Sequence, residues 1–132
     1  MNTKESLQRL FDLDAFDAGG HADALFLDAV RDACSHHIRS CEIFRSLCRL
    51  ADFTPESIQG MNDLPRIPWL MVNVFKRYHL TSVPEDEIVA TFTSSGTTGL
   101  KSHIAWDRGS MERQDAMRAA IMRSLGLVSD RP

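Results

Sequence analysis

The stretch Thr93-Ser94-Ser95-Gly96-Thr97-Thr98-Gly99-Leu100-Lys101-Ser102 limits what this chain can fold into more than any other. It joins two runs of β-branched and aromatic residues, Ile88-Val89-Ala90-Thr91-Phe92-Thr93 and His103-Ile104-Ala105-Trp106, a composition that suits a pleated strand. A strand, loop and strand are therefore predicted. Gly96 and Gly99 permit positive φ and let backbone N–H groups approach an anion. The hydroxyls of Ser94, Ser95, Thr97 and Thr98 can donate hydrogen bonds, and Lys101 adds a positive charge. Such a loop can wrap the β and γ phosphates of ATP. By composition alone, a Ser/Thr/Gly-rich stretch between strands is more often a plain hairpin turn. A Walker P-loop is excluded, because it requires Gly-x-x-x-x-Gly-Lys, whereas only Thr97-Thr98 separate these glycines and Leu100 precedes the lysine.

The order of residues favours the phosphate loop over the plain turn. Ser-Ser-Gly-Thr-Thr-Gly followed closely by lysine resembles the signature loop of the adenylate-forming superfamily. With Leu64-Pro65-Arg66-Ile67-Pro68, Phe75-Lys76 and Glu85-Asp86-Glu87 ahead of it, the chain is similar to the acyl-protein synthetases of the bacterial luminescence fatty acid reductase complex, over about residues 22 to 125. The broad superfamily places a variable residue and a proline between the last glycine and the lysine. Here Leu100 alone stands there, a form that suits the acyl-protein synthetase branch and the nearby phenylacetate-CoA ligases.

The resemblance implies an α/β fold: the N-terminal portion of the large domain of an adenylate-forming enzyme, with a helical start, a β-hairpin carrying the phosphate loop, and a packing helix. Residues 1–132 are expected to be a partial domain, with 1–80 a mainly helical lead-in and 85–132 the hairpin and helix. The implied activity is that of an acyl-adenylating ligase, which activates a carboxylic acid, a fatty acid above all, with ATP and Mg2+ and passes the acyl group to a protein thiol. Ser94, Ser95, Gly96, Thr97, Thr98, Gly99 and Lys101 are the expected nucleotide contacts, and Lys101 the expected catalytic residue. The family's adenine and ribose contacts, its magnesium-binding acidic residue and its acyl-accepting cysteine lie beyond the signature loop. The 132-residue chain is therefore expected to have little or no adenylating activity alone. Its expected partners are ATP, a carboxylic acid, the remaining part of such a ligase, and an acyl reductase. The alternative is a non-catalytic nucleotide-binding or interaction module derived from such an enzyme.

The remaining features agree with a cytoplasmic protein. Fifteen Lys and Arg are scattered against 18 Asp and Glu, for a net charge of -3, so no basic footprint for nucleic acid exists. Met1 to Phe11 lacks the apolar core of a secretory signal, and no stretch approaches the roughly 18 apolar residues of a membrane span. Cys34, Cys41 and Cys48 are an odd number and do not read as a disulfide framework. On a helix, Cys34, His37 and Cys41 share a face. The same positions continue an apolar stripe, so core cysteines are favoured over a metal site, and none is predicted.

That stripe runs from Ala22 to Ala51 through Leu25, Phe26, Ala29, Val30, Ile38, Phe44 and Leu47, which predicts one long helix or two collinear ones. A break near residue 52 follows, with Thr54 as N-cap and Pro55 at the first helical position. Leu64 and Ile67, each before a proline, should be extended. Trp69, Leu70, Met71, Val72, Val74 and Phe75 should pack on a core. A second helix is predicted over Ser110 to Leu125, closed by Gly126. His103 should face solvent or line a pocket, and Asp107 should cap that helix.

Overall fold

The computed structural model describes residues 3–13, 19–95 and 101–127. Helix α1 spans Thr3–Phe11, α2 Gly20–Ser40 and α3 Glu42–Leu50. The stripe from Ala22 to Ala51 thus forms two helices, because Cys41 takes φ −117° and ψ 111° and cuts the helical ladder. Cutting a ladder leaves carbonyls without partners. Arg45 of α3 reaches back across the cut, its Nε donating to the Ile38 carbonyl at 2.8 Å and its Nη2 to that of Arg39 at 2.9 Å.

The core forms where α2 meets α3 and the segment after it. Leu27, Cys34, Cys48, Phe53 and Ile58 make one buried cluster, with Val30, Ile38, Phe44, Leu64 and Ile67 against it. Leu27 lies outside the predicted stripe, whereas Phe26, inside it, is exposed. Helix α2 touches α1, α3 and the 3-10 turn Pro55–Ser57, so its buried face is wider than a single stripe.

Helix α3 ends by a left-handed residue, Asp52 at φ 49°. The Phe53 N–H donates to the Cys48 carbonyl at 2.9 Å and the Asp52 N–H to that of Arg49 at 3.3 Å. This double closure swings Phe53 inward onto Cys48. The break near residue 52 falls where predicted. Pro55 opens the 3-10 turn, but Thr54, in the N-cap position, makes no side-chain cap bond. Arg31 of α2 fixes the far end of the turn, its Nε donating to the Ile58 carbonyl at 2.8 Å.

Two expectations for the proline-rich segment need correction. Leu64 is not extended but sits within the 3-10 helix Met61–Arg66. The Asp63 carboxylate accepts from the backbone N–H of Gln59 at 2.9 Å and of Gly60 at 3.0 Å, and this fold-back outweighs the proline's local preference. These bonds hold the Asp63 carboxyl below the usual range. Ile67 is extended as predicted, at φ −62° and ψ 124°. The second correction concerns Trp69, Met71 and Val72, which lie in solvent at 74%, 61% and 64% exposure. Apolar character permits burial without enforcing it, and helix α4, Val74–Arg77, is only four residues long, too short to cover them.

Strand β1, Ile88–Thr93, pairs antiparallel with β2, His103–Asp107, the register running from Thr93↔His103 to Ala90↔Trp106 with an irregularity between Ile88 and Ala90. Phe92 and Trp106 meet edge to face at 5.1 Å, a geometry aromatic pairs prefer. Helix α5, Arg108–Ser124, follows directly and touches β2. The molecule is thus mixed helix and small antiparallel sheet, consistent with the α/β expectation. No helix among the described residues is long and apolar enough to cross a membrane.

Candidate functional site

Continuing the hairpin register one step beyond Thr93↔His103 sets Ser94 opposite Ser102. There the Ser94 N–H donates to the Ser102 carbonyl at 3.2 Å, and the Ser102 N–H donates to the Ser94 hydroxyl at 3.1 Å. This pair forms the neck of the loop. Ser95 and Lys101, the next residues outward, are both exposed. Ser94, Ser95 and Lys101 are therefore together at one end of the hairpin. Gly96, Thr97, Thr98, Gly99 and Leu100 lie outside the described residues. Ser102, within the motif but not among the expected contacts, is buried at 6% exposure. Strand pairing rather than residue type singles it out.

The other end of the hairpin is anchored on α5. Asp107 stands at the N-cap, its Oδ1 accepting from the Ser110 N–H at 3.0 Å, as predicted. Burial pushes its carboxyl up, but the bonds from Ser110 and the nearby Arg113 charge outweigh that and leave it below the ordinary range. Gly109 makes room for this arrangement, since a Cβ there would lie 3.1 Å from Arg113 Nη1 and 3.4 Å from Asp107 Oδ2. His103 is exposed at the start of β2. Asp107 is thus committed to the helix and takes no part in acid–base work with His103.

Upstream, the segment leading into β1 is tied down by polar contacts. His37 Nδ1 and Ser82 Oγ are 2.7 Å apart, and His79 Nε2 lies 3.1 Å from Glu85 Oε1. The desolvation of the His37 ring, beside Phe44, and the neighbouring His36 lower its pKa. Helix α4 touches β2 and borders an apolar groove of about 370 Å³ lined by Leu47, Trp69, Leu70, Met71, Val74 and Tyr78.

Cys34, Cys41 and Cys48 are free and buried, as core residues. Burial pushes the thiols of Cys34 and Cys48 up, and Cys48 adds to the effect on Cys34. That is the opposite of an activated nucleophile. Among the described residues no group of three or more His, Cys, Asp or Glu could hold a metal ion.

The family model described as "Acyl-protein synthetase, LuxE" matches residues 4–132. A long-chain-fatty-acid–luciferin-component ligase of Photorhabdus luminescens is 40% identical over 79 residues, covering 60% of this chain and 65% of that protein. The ligase of the same name from Vibrio harveyi is 36% identical over 84 residues, 64% of this chain and 21% of that protein. A phenylacetate-coenzyme A ligase of Thermus thermophilus is 28% identical over 92 residues, 67% of this chain and 20% of that protein. The chain thus spans under two thirds of the Photorhabdus protein and about a fifth of the other two.

Proposed function

The chain belongs to the acyl-protein synthetase family, and from that premise we propose that it carries the phosphate-gripping loop of a cytoplasmic, ATP-dependent ligase. The ligase activates a carboxylic acid, a long-chain fatty acid, as an acyl-adenylate for transfer to a protein thiol. The observation that carries this reading is the hairpin neck, which holds Ser94, Ser95 and Lys101 at one end of a paired ladder. The names of the relatives, ligases of a long-chain fatty acid and of phenylacetate, support the acid substrate.

In this reading a carboxylate oxygen attacks the α-phosphorus of ATP, an acyl–phosphate bond forms, and the bond to the β-phosphate oxygen breaks with its electron pair leaving on pyrophosphate. Ser95, Thr97 and Thr98 donate hydrogen bonds to the departing phosphates, and the Lys101 ammonium neutralises charge as it builds there. Lys101 has no ion-pair partner among the described residues. Magnesium bound to the phosphates would offset their charge; among the described residues no group of three or more His, Cys, Asp or Glu gathers to hold it.

Mg-ATP is expected to raise the melting temperature of the chain, with the shift lost in Lys101→Ala. A wild-type chain indifferent to ATP contradicts the reading. The exposed apolar surface of Trp69, Met71, Val72 and Tyr78 favours a second reading, a non-catalytic nucleotide-binding or interaction module derived from such an enzyme. The two part at turnover, since only a ligase exchanges pyrophosphate into ATP in the presence of the acid once the remaining part of the enzyme is supplied.

A further inference from the structure

We propose that Ser94 is a positioning residue, whose hydroxyl fixes the Lys101–Ser102 peptide at the loop neck and through it the placement of the Lys101 charge. This rests on the phosphate-loop reading above and assigns Ser94 a task other than contact with the nucleotide. A regular antiparallel pair at this step exchanges two backbone bonds, each N–H donating to the opposite carbonyl. At Ser94 and Ser102 only one of these is made, from the Ser94 N–H to the Ser102 carbonyl at 3.2 Å. The Ser102 N–H turns instead to the Ser94 hydroxyl at 3.1 Å. A side chain has thus replaced a carbonyl in the last rung of the ladder, and the amide it holds belongs to the peptide that joins Lys101 to Ser102.

Three features make this rung consequential. Ser102 is 6% exposed, so its N–H has little water to turn to if the hydroxyl is removed, and a buried donor left unpaired is costly. Lys101 is also bonded directly to the residue this rung holds. Ser94 itself is exposed, so its replacement leaves the core of Leu27, Cys48 and Ile58 untouched. Threonine retains a hydroxyl at the same position and suits a strand end, whereas alanine lacks it.

The test compares wild type with Ser94→Ala and Ser94→Thr in the full 132-residue chain, reading hydrogen exchange at the Ser102 amide without nucleotide, the affinity for Mg-ATP, and the melting temperature. Ser94→Ala is expected to speed Ser102 exchange by roughly 2- to 12-fold, the range a single net hydrogen bond supports. It should weaken Mg-ATP binding by a comparable factor and lower the melting temperature by no more than a few degrees, and Ser94→Thr should restore exchange and binding. Unchanged Ser102 exchange in Ser94→Ala overturns the proposal, as does faster exchange with undiminished ATP affinity, or a threonine variant that fails to rescue. A wild-type chain that binds no ATP overturns the phosphate-loop reading itself, and the positioning role with it. The Ser102 amide then still reports whether the rung exists.

Discussion

At the end of α3, Asp52 takes a left-handed conformation and the Phe53 N–H donates back to Cys48 at 2.9 Å; at the end of α5, Gly126 does so at φ 66° and the Leu127 N–H donates back to Met122, also at 2.9 Å. The closing motif is the same. Phe53 lands in the core at 6% exposure, whereas Leu127 is 65% exposed. The contrast extends to the regions around them. All the buried hydrophobics among the described residues lie between Leu25 and Ile58, while Val89, Phe92, Ile104, Met122 and Leu125 of the hairpin and α5 are exposed. One region is a scaffold held by burial. The other is held by its strand ladder and its helix cap, and it presents the loop.

If burial holds the first region, removing buried methylenes there should cost most. Ile58→Ala, at a fully buried residue, is expected to lower unfolding stability by about 2–5 kcal/mol. Urea unfolding checks this, and a loss well under 1 kcal/mol would deny that the cluster is the core. Gly126→Ala should cost about 1–2 kcal/mol, because a side chain is strained in the left-handed region. Among the described residues no neighbour lies within 4 Å of the added Cβ, so the loss is ascribed to backbone strain. It should appear as faster amide exchange in the last turn of α5 and leave α2 unaffected.

Asp107→Ala removes the α5 cap and should cost about 1 kcal/mol. Its pH dependence has a definite sign. The folded carboxyl lies below its ordinary value, so the unfolded chain binds the proton more readily, and the contribution is complete above the unfolded pKa of about 3.9 and lost as pH falls through the folded one. Acid titration of the α5 amides should therefore show a step that Asp107→Ala lacks. The smallest change should be a gain: Asp52→Gly, which relieves the left-handed backbone at α3, is expected to stabilise by about 0.5–1 kcal/mol. A loss instead would mean that the Asp52 side chain does more than the backbone explains.

Much of this was legible in the sequence, and the remainder was hidden for identifiable reasons. The two strands, Asp107 as cap and Gly126 as terminator follow from local chemistry, and they stand where residue type placed them. Leu27 was missed because periodicity sees one stripe, whereas Phe53 and Ile58, from the segment after α3, cover a further side of α2 and take Leu27 into the core. Leu64 went astray because the Asp63 carboxylate gathers two backbone N–H groups, a three-residue arrangement that a rule about the residue before proline does not contain. Trp69 and Met71 were expected to be covered because apolar composition was read as burial. Within the site, Ser94, Ser95 and Lys101 were named from the motif, but the Ser94–Ser102 rung depends on register, which pairs residues across the loop and leaves no mark in a linear pattern.

The central claim is that the loop at residues 93–102 grips phosphate, and titration of the wild-type chain and Lys101→Ala with Mg-ATP and with AMP tests it most directly. The account predicts that Lys101→Ala weakens ATP binding about ten- to a hundredfold, the scale of a lost charge-assisted hydrogen bond, and leaves any AMP affinity unchanged because the β and γ phosphates are absent. Equal ATP affinity in the two chains, or equal loss for ATP and AMP, would contradict it.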